Sequence, residues 1–351
     1  MSVETRSQGP LGRHPGLILL FLACVGAVLL AGACRSLGKP KLEQRLRGLV
    51  KNAPLGDLTL MTFVADLGDG PRDLELVYHR APAVNGANAV PVVLVHNTPS
   101  TLFSWTELIY GSSEGSGRDG FVGLNATRDV FAIELIGHGI APGDASPYSF
   151  ERCARFVTAA IHALGLEQVH LIGSSYGGEF AWRAALNDPA LTASLTLIDS
   201  SGFARRPEDW LSEEIVMREN SLAKIGWILN SRKRVEAALA PHFRGIPPDR
   251  IEEFFLVCEN ADNWKAMIDL VRDENGSREN ELGNLRTPAL VLWGEEDLAY
   301  PLDVYGQRFA DTIPNAKLGV ITGAGHYPHE ERPAEVVRLL SDFFDAEENK
   351  P

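Results

Sequence analysis

The chain is poor in cysteine, with only four among its 351 residues. Cys24 and Cys34 fall in an apolar stretch near the amino terminus, and Cys153 and Cys258 lie far apart, so no close-spaced pair is available to clamp zinc. The two later thiols read as small buried hydrophobes. No His-Glu-x-x-His spacing occurs, and the glycine-rich segment at 173–178 is not followed by the Lys and Ser/Thr of a phosphate loop. Neither a metal nor a nucleotide cofactor is implied. Surplus positive charge is missing too. A net charge of -13, with no basic stripe interleaved with aromatics, repels a phosphate backbone and excludes nucleic acid as a partner.

What remains is the balance of an ordinary globular protein, 45% hydrophobic and 23% charged, in a chain long enough for one large domain. The amino terminus stands apart. Residues Leu17 to Ala33 carry no charge and follow Arg6, Arg13 and His14, the basic-then-apolar order of a secretory signal. The run closes on Leu30-Ala31-Gly32-Ala33-Cys34, which resembles the lipobox of bacterial lipoproteins, and that resemblance implies Cys34 as a lipidation site. At about 17 residues the run also reaches the lower limit for a membrane span, so an uncleaved anchor is the second reading and a cleaved signal the third. Arg35, Lys39, Lys41, Arg45, Arg47 and Lys51 follow it. On a lipoprotein tether these charges would sit beside anionic headgroups outside the cytoplasm. After a true span they would place the enzyme domain in the cytoplasm.

From about Leu58 the chain alternates short apolar runs with helical stretches. Val92–His96, Val130–Leu135, Val169–Gly173, Leu195–Asp199, Ala289–Trp293 and Lys317–Ile321 are continuous rather than alternating, which suits parallel strands covered on both faces. Leu58–Val64 and Leu74–His79 read as a lead-in hairpin. Helices are predicted from Ser149 to Leu164 and over Gly178–Asn187. The rhythm breaks between Phe203 and Arg286, a helical stretch rich in Trp210, Met217, Trp227, Phe243, Phe254, Phe255, Trp264 and Met267. Most of these large side chains are expected to pack helices, with a few left to line a cavity.

Gly173-Ser174-Ser175-Tyr176-Gly177-Gly178 follows an apolar strand and opens a helix, which is the context the G-x-S-x-G spacing needs. A serine thrust out on so tight a turn demands small neighbours, and Gly173, Gly177 and Gly178 supply them. A serine hydroxyl is a weak nucleophile at neutral pH. It needs a base within reach and a group that fixes the base's tautomer. Two later strands end in Gly294-Glu295-Glu296-Asp297 and Thr322-Gly323-Ala324-Gly325-His326, at the carboxyl ends where open α/β sheets place their sites.

The order Ser175, Asp297, His326 resembles the α/β-hydrolase superfamily in its serine-nucleophile, cap-containing branch. The likeness also covers His96-Asn97-Thr98-Pro99, Glu134-Leu135-Ile136-Gly137-His138-Gly139 and the Gly-Ala-Gly-His ending, most of the chain from Leu58 onward. It implies a mostly parallel eight-stranded sheet flanked by helices, with a helical cap after the sixth strand. Residues 1–34 then form the signal or anchor, 35–57 a basic linker, 58–202 and 287–346 the core, and 203–286 the cap. Ser175 matches the nucleophile, His326 the base and Asp297 the acid. Asp199, at the end of the sixth strand, is the rival acid, because some members of the superfamily take theirs from there.

Of the other histidines, His96 and His138 match structural positions, and His329 is expected on a solvated helix start. The backbone amides of Tyr176 and Thr98 match the oxyanion donors. The usual His-Gly of the second donor's loop is here His96-Asn97, and Asn tolerates positive φ well enough to keep the turn. A Ser nucleophile argues against the dehalogenase and epoxide-hydrolase branches. Hydrolysis of a carboxylic ester with an apolar substrate is the expectation. Amide, thioester or carbon–carbon bonds, a non-catalytic binding protein and a membrane-tethered scaffold are the alternatives.

Overall fold

The computed structural model describes residues 39–49, 58–86, 89–112, 120–220, 223 and 230–350. The apolar run at 17–33, Cys34 and Trp227 lie outside the described residues. The stretch read as a basic linker contains helix α1 (Lys39–Leu49). It buries Leu42 and Leu46 against the body of the protein, a gain of about 2 kcal/mol for each leucine. No described helix is long and apolar enough to cross a membrane.

After α1 come β1 (Thr59–Asp66) and β2 (Pro71–Ala81), the expected hairpin, then β3 (Val92–Val95), a short helix α2 (Thr106–Tyr110) and a two-residue ladder, β4 (Gly111–Ser112) with β5 (Phe121–Val122). The central strands are β6 (Val130–Ile133), β7 (Val169–Ser174) and β8 (Thr192–Ile198). Helix α3 (Phe150–Ala163) joins β6 to β7, and α4 (Tyr176–Asn187) joins β7 to β8. The α3 start is the one expected, with the Ser149 hydroxyl accepting the Arg152 N–H at 3.2 Å.

Among the described residues, four α-helices follow before the sheet resumes: α5 (Ser212–Glu219), α6 (Arg232–Leu239), α7 (Pro248–Cys258) and α8 (Ala261–Asp273). The chain then closes with β9 (Ala289–Gly294), α9 (Gln307–Thr312), β10 (Lys317–Ile321), α10 (Pro328–Glu331) and α11 (Pro333–Glu348).

The main sheet has eight strands in the order β1-β2-β6-β3-β7-β8-β9-β10, and only β2 runs against its neighbours. Strands β3, β6, β7 and β9 are buried along their whole length, as continuous apolar runs demand when helices cover both faces. One core layer gathers Phe150, Phe156, Trp182, Trp293 and Phe309, and the other gathers Trp105, Leu94, Ile172, Leu292 and Phe344. Cys153 and Cys258 are both buried and unbonded. Because the parallel strands all point the same way, the loops after β3, β7, β8, β9 and β10 meet at one edge.

Candidate active site

Ser175 sits between β7 and α4 with φ 52° and ψ −120°, a conformation costly for a residue with a side chain. The surrounding backbone holds it there. Ser175 N–H donates to Ile198 O at 2.9 Å, while its carbonyl accepts from the Gly178 N–H at 3.0 Å and the Ser201 N–H at 3.2 Å. Glycines are obligatory around the bend. A Cβ at Gly173 would lie 2.2 Å from Gly177 O, and one at Gly177 would lie 2.4 Å from His96 O.

The bend aims the Ser175 hydroxyl at the end of β10. His326 Nε2 stands 2.9 Å from Ser175 Oγ, and His326 Nδ1 stands 2.7 Å from Asp297 Oδ2. Asp297 also accepts the N–H groups of Ala299 and Tyr300 on its other oxygen, at 2.8 and 3.1 Å. Burial pushes its carboxyl up, but the His326 ring and these donors outweigh burial and hold it below the ordinary carboxylate range. An ionised Asp297 can only accept. Nδ1 therefore carries the ring proton, and Nε2 is the acceptor for the serine hydroxyl.

The rivals sit elsewhere. Ser174 is buried with its hydroxyl unpartnered, Glu295 accepts the Gly323 N–H at 3.2 Å, and Glu296 pairs with Arg244 at 3.1 Å. Asp199 is close to the site but does not hold the ring. Its Oδ1 accepts the Gly294 N–H at 3.0 Å.

Three histidine expectations meet different outcomes. His96 accepts the Leu135 N–H at 3.1 Å, and its Nδ1 lies 2.7 Å from Asn97 O. His138 takes the Thr98 hydroxyl at 2.6 Å. Both are scaffold, as expected. His329 is a correction: it is only 2% exposed and lies against the Trp105 ring, because α10 packs inward rather than into solvent. Asn97 is another. It does not take positive φ, and its side-chain amide instead donates to the Tyr327 hydroxyl at 2.8 Å.

Thr98, Ser175, Tyr176 and His326 line one cavity of about 480 Å³. Tyr176 opens α4, so its N–H is among the end donors that have no acceptor within the helix. Apolar lining comes from the helical stretch: Met217, Phe254, Trp264, Met267 and Val271. Trp210, by contrast, lies under the Arg205 and Arg218 guanidinium groups.

Sequence reasoning missed three residues at this site. Glu274, buried just past α8, accepts the hydroxyls of both Tyr176 and Tyr300 at 2.6 Å. The Tyr300 ring stacks on His326 at 5.3 Å between centroids. His242 reaches in from the loop after α6, offers its carbonyl to the His326 N–H at 2.7 Å, and lines the cavity. Burial and the neighbouring His326 push its imidazole down to about 4. No local pattern marks these residues. Each is defined by a partner from a distant part of the chain.

Residues 92–339 match the alpha/beta hydrolase family, and the chain belongs to it. It is similar to an uncharacterized hydrolase, YugF, of Bacillus subtilis, at 27% identity over 273 residues, covering 72% of this chain and 89% of that protein. A 2-hydroxy-6-oxononadienedioate/2-hydroxy-6-oxononatrienedioate hydrolase of Cupriavidus pinatubonensis is 28% identical over 289 residues, covering 74% and 88%. Among solved structures, a bacterial membrane phospholipase A superposes with TM-score 0.65 at 23% identity, covering 95% of this chain and 98% of that one.

Proposed function

We propose that this hydrolase is a membrane-tethered serine esterase that cleaves a carboxylic ester with an apolar acyl group through an acyl-enzyme on Ser175. The observation that carries the reading is the hydrogen-bonded line Ser175–His326–Asp297 at the floor of a largely apolar cavity. His326 Nε2 takes the proton of Ser175 as Oγ bonds to the carbonyl carbon, and the amides of Tyr176 and Thr98 receive the oxyanion. Each such donor is worth about 3–4 kcal/mol in the transition state. His326 then passes that proton to the departing alkoxide. In the second half it takes a proton from water, whose oxygen attacks the acyl carbon, and returns it to Ser175 as the acid leaves.

Ester cleavage is favoured over the carbon–carbon chemistry of the dicarboxylate-cleaving relatives by the charges around the cavity. Arg205, buried behind its wall, is already neutralised by Glu214 at 3.0 Å and Glu274 at 3.7 Å, and Glu214 itself lines the cavity beside Arg234. A substrate carrying two carboxylates would meet the Glu214 carboxylate in the cavity lining. The tether rests on the uncharged run Leu17–Ala33 and on Cys34, with the lipoprotein reading first and an uncleaved anchor second.

A fluorophosphonate probe on wild type and Ser175→Ala tests the nucleophile: wild type labels and the variant does not, and equal labelling removes Ser175 from the role. Turnover of a short p-nitrophenyl ester separates an enzyme from a binding protein or scaffold on the same fold.

A further inference from the structure

Although the chain as a whole is strongly acidic, one patch of its surface is basic. Helix α1 carries Lys39, Lys41, Arg45 and Arg47 against a single acid, Glu43, which is held by Arg47 at 2.9 Å. Helix α6 carries Arg232, Lys233 and Arg234 against Glu236. The two helices are not neighbours in sequence, yet one residue brings them together. Glu252 on α7 pairs with Arg45 of α1 at 2.8 Å and with Arg232 of α6. Both arginine side chains stay substantially open, at 41% and 53% exposure, and Lys41 and Lys233 are exposed beside them. Glu252 can neutralise only one of the two arginines it bridges.

The cavity opens next to this patch. Arg234 and Ala237 of α6 are exposed and line it, as does Val216 of α5, which is 53% exposed although apolar; Ile215 beside it is 38% exposed. Hence a single turn of α6 links the mouth, at Arg234, to Arg232, whose partner Glu252 bridges to Arg45 of α1. Only six residue steps separate Ala33, the end of the uncharged run, from Lys39, the start of α1. Fully extended, that connection spans about 20 Å at most.

We propose that the α1–α6 face is a docking surface for an anionic phospholipid bilayer, which presents the cavity mouth to the membrane so that a bilayer phospholipid is the substrate. The inference rests on the tethered-esterase reading above. The tether, lipidated Cys34 or the uncleaved apolar run, holds the chain to the bilayer within a short reach of α1. The exposed Lys41, Arg45, Arg232 and Lys233 then meet anionic headgroups. Ile215 and Val216 at the rim enter the interfacial layer, and an acyl chain passes between α5 and α6 toward Ser175.

The test uses the full-length chain with phosphatidylcholine vesicles, with and without phosphatidylglycerol. Fatty-acid release from the vesicle lipid and hydrolysis of a soluble short p-nitrophenyl ester are measured side by side. Phosphatidylglycerol is expected to raise lipid hydrolysis by wild type about tenfold at low salt, and added salt to erase the gain. Lys41→Glu combined with Lys233→Glu is expected to abolish the gain while leaving the soluble-ester rate and the melting temperature unchanged. The inference is overturned if phosphatidylglycerol has no effect on wild type, if the double variant gains as much as wild type, or if vesicle lipid is not cleaved while the soluble ester is. Failure on the soluble ester as well would strike the esterase reading itself, and so is distinguishable.

Discussion

Asp199 and Asp297, at the ends of the neighbouring strands β8 and β9, place carboxylate oxygens within 4.8 Å of each other and of the His326 ring, with all three side chains buried. Two carboxylates this close in a buried site cannot both ionise. The donors decide which one does. Asp297 has the His326 ring and two backbone N–H groups, whereas Asp199 has the Gly294 N–H on one oxygen and no partner on the other. Burial and the facing Asp297 push the Asp199 carboxyl well above the ordinary range, which favours its neutral form.

Asp297→Asn is therefore expected to lower kcat by about 10³–10⁴-fold, because an amide no longer fixes the Nδ1–H tautomer of His326. Asp199→Asn, which keeps a neutral side chain, should retain activity within about tenfold. The measurement is kcat on a soluble ester across pH. The reverse ranking would make Asp199 the acid of the triad.

A second prediction concerns Glu274, which ties Tyr176 and Tyr300 to the end of α8. Removing its carboxylate strands two buried hydroxyls and takes one of two acids from Arg205. Glu274→Ala should cost about 3–5 kcal/mol of stability, the usual range for breaking a buried ionic partner. Glu274→Gln, which keeps one acceptor, should cost less. Denaturant midpoints give the comparison, and equal midpoints for Glu274→Ala and wild type would show that the network does not hold the site to the helices above it.

The contrast between Glu274 and Ser175 explains how much could be read without coordinates. The nucleophile bend, the β7 and β10 strands and the Ser149 cap are written in consecutive residues, because each is set by local sterics or by the period of an apolar run. β10 lies at Lys317–Ile321, where the sequence put it. Helix α1 is hidden because its charges dominate its composition; Leu42 and Leu46 are buried and Leu49 partly so, and the surface they pack on is assembled from distant segments. His329 was misplaced for a similar reason. A proline followed by a polar residue starts many exposed helices, and nothing local reveals that Trp105 covers this one.

His242 gives a pH test of the folded state. Its imidazole is held near 4 by burial and by the adjacent His326, below the ordinary 6.5 of the unfolded chain. The group's contribution to stability is therefore fully present above pH 6.5 and is lost as pH falls toward 4, since only the unfolded chain takes up the proton in that window. At about 1.4 kcal/mol per pH unit the loss is on the order of 2–3 kcal/mol. Other groups titrate in the same range. Burial raises the Glu179 carboxyl to about 7, with the opposite slope from pH 4.5 upward. The comparison is therefore wild type against His242→Phe, in which those contributions cancel. The variant should gain stability relative to wild type as pH drops from 6.5 to 4, read from melting temperatures, and parallel curves would show that the ring is not buried as a neutral group.

On the proposed esterase reading the cavity walls decide which acyl chains fit, and α8 contributes Met267 and Val271 to them. A volume of about 480 Å³ falls within the roughly 300–1,000 Å³ of sites that enclose a drug-sized ligand, so on that reading a medium or long acyl chain fits in the cavity. Methionine is the adaptable filler of such walls, and Met267 is only 5% exposed, facing the cavity rather than solvent. Met267→Trp adds a rigid ring to that lining while leaving Ser175, His326 and the oxyanion amides untouched. kcat/KM for long-chain p-nitrophenyl esters should fall by about 10–100-fold, since a clash of a few atoms in an apolar pocket costs about 1–3 kcal/mol, while the acetate ester should be cleaved at the wild-type rate. Equal losses on short and long esters would instead mean that the indole disturbs the reacting groups, and that the acyl chain runs along another wall.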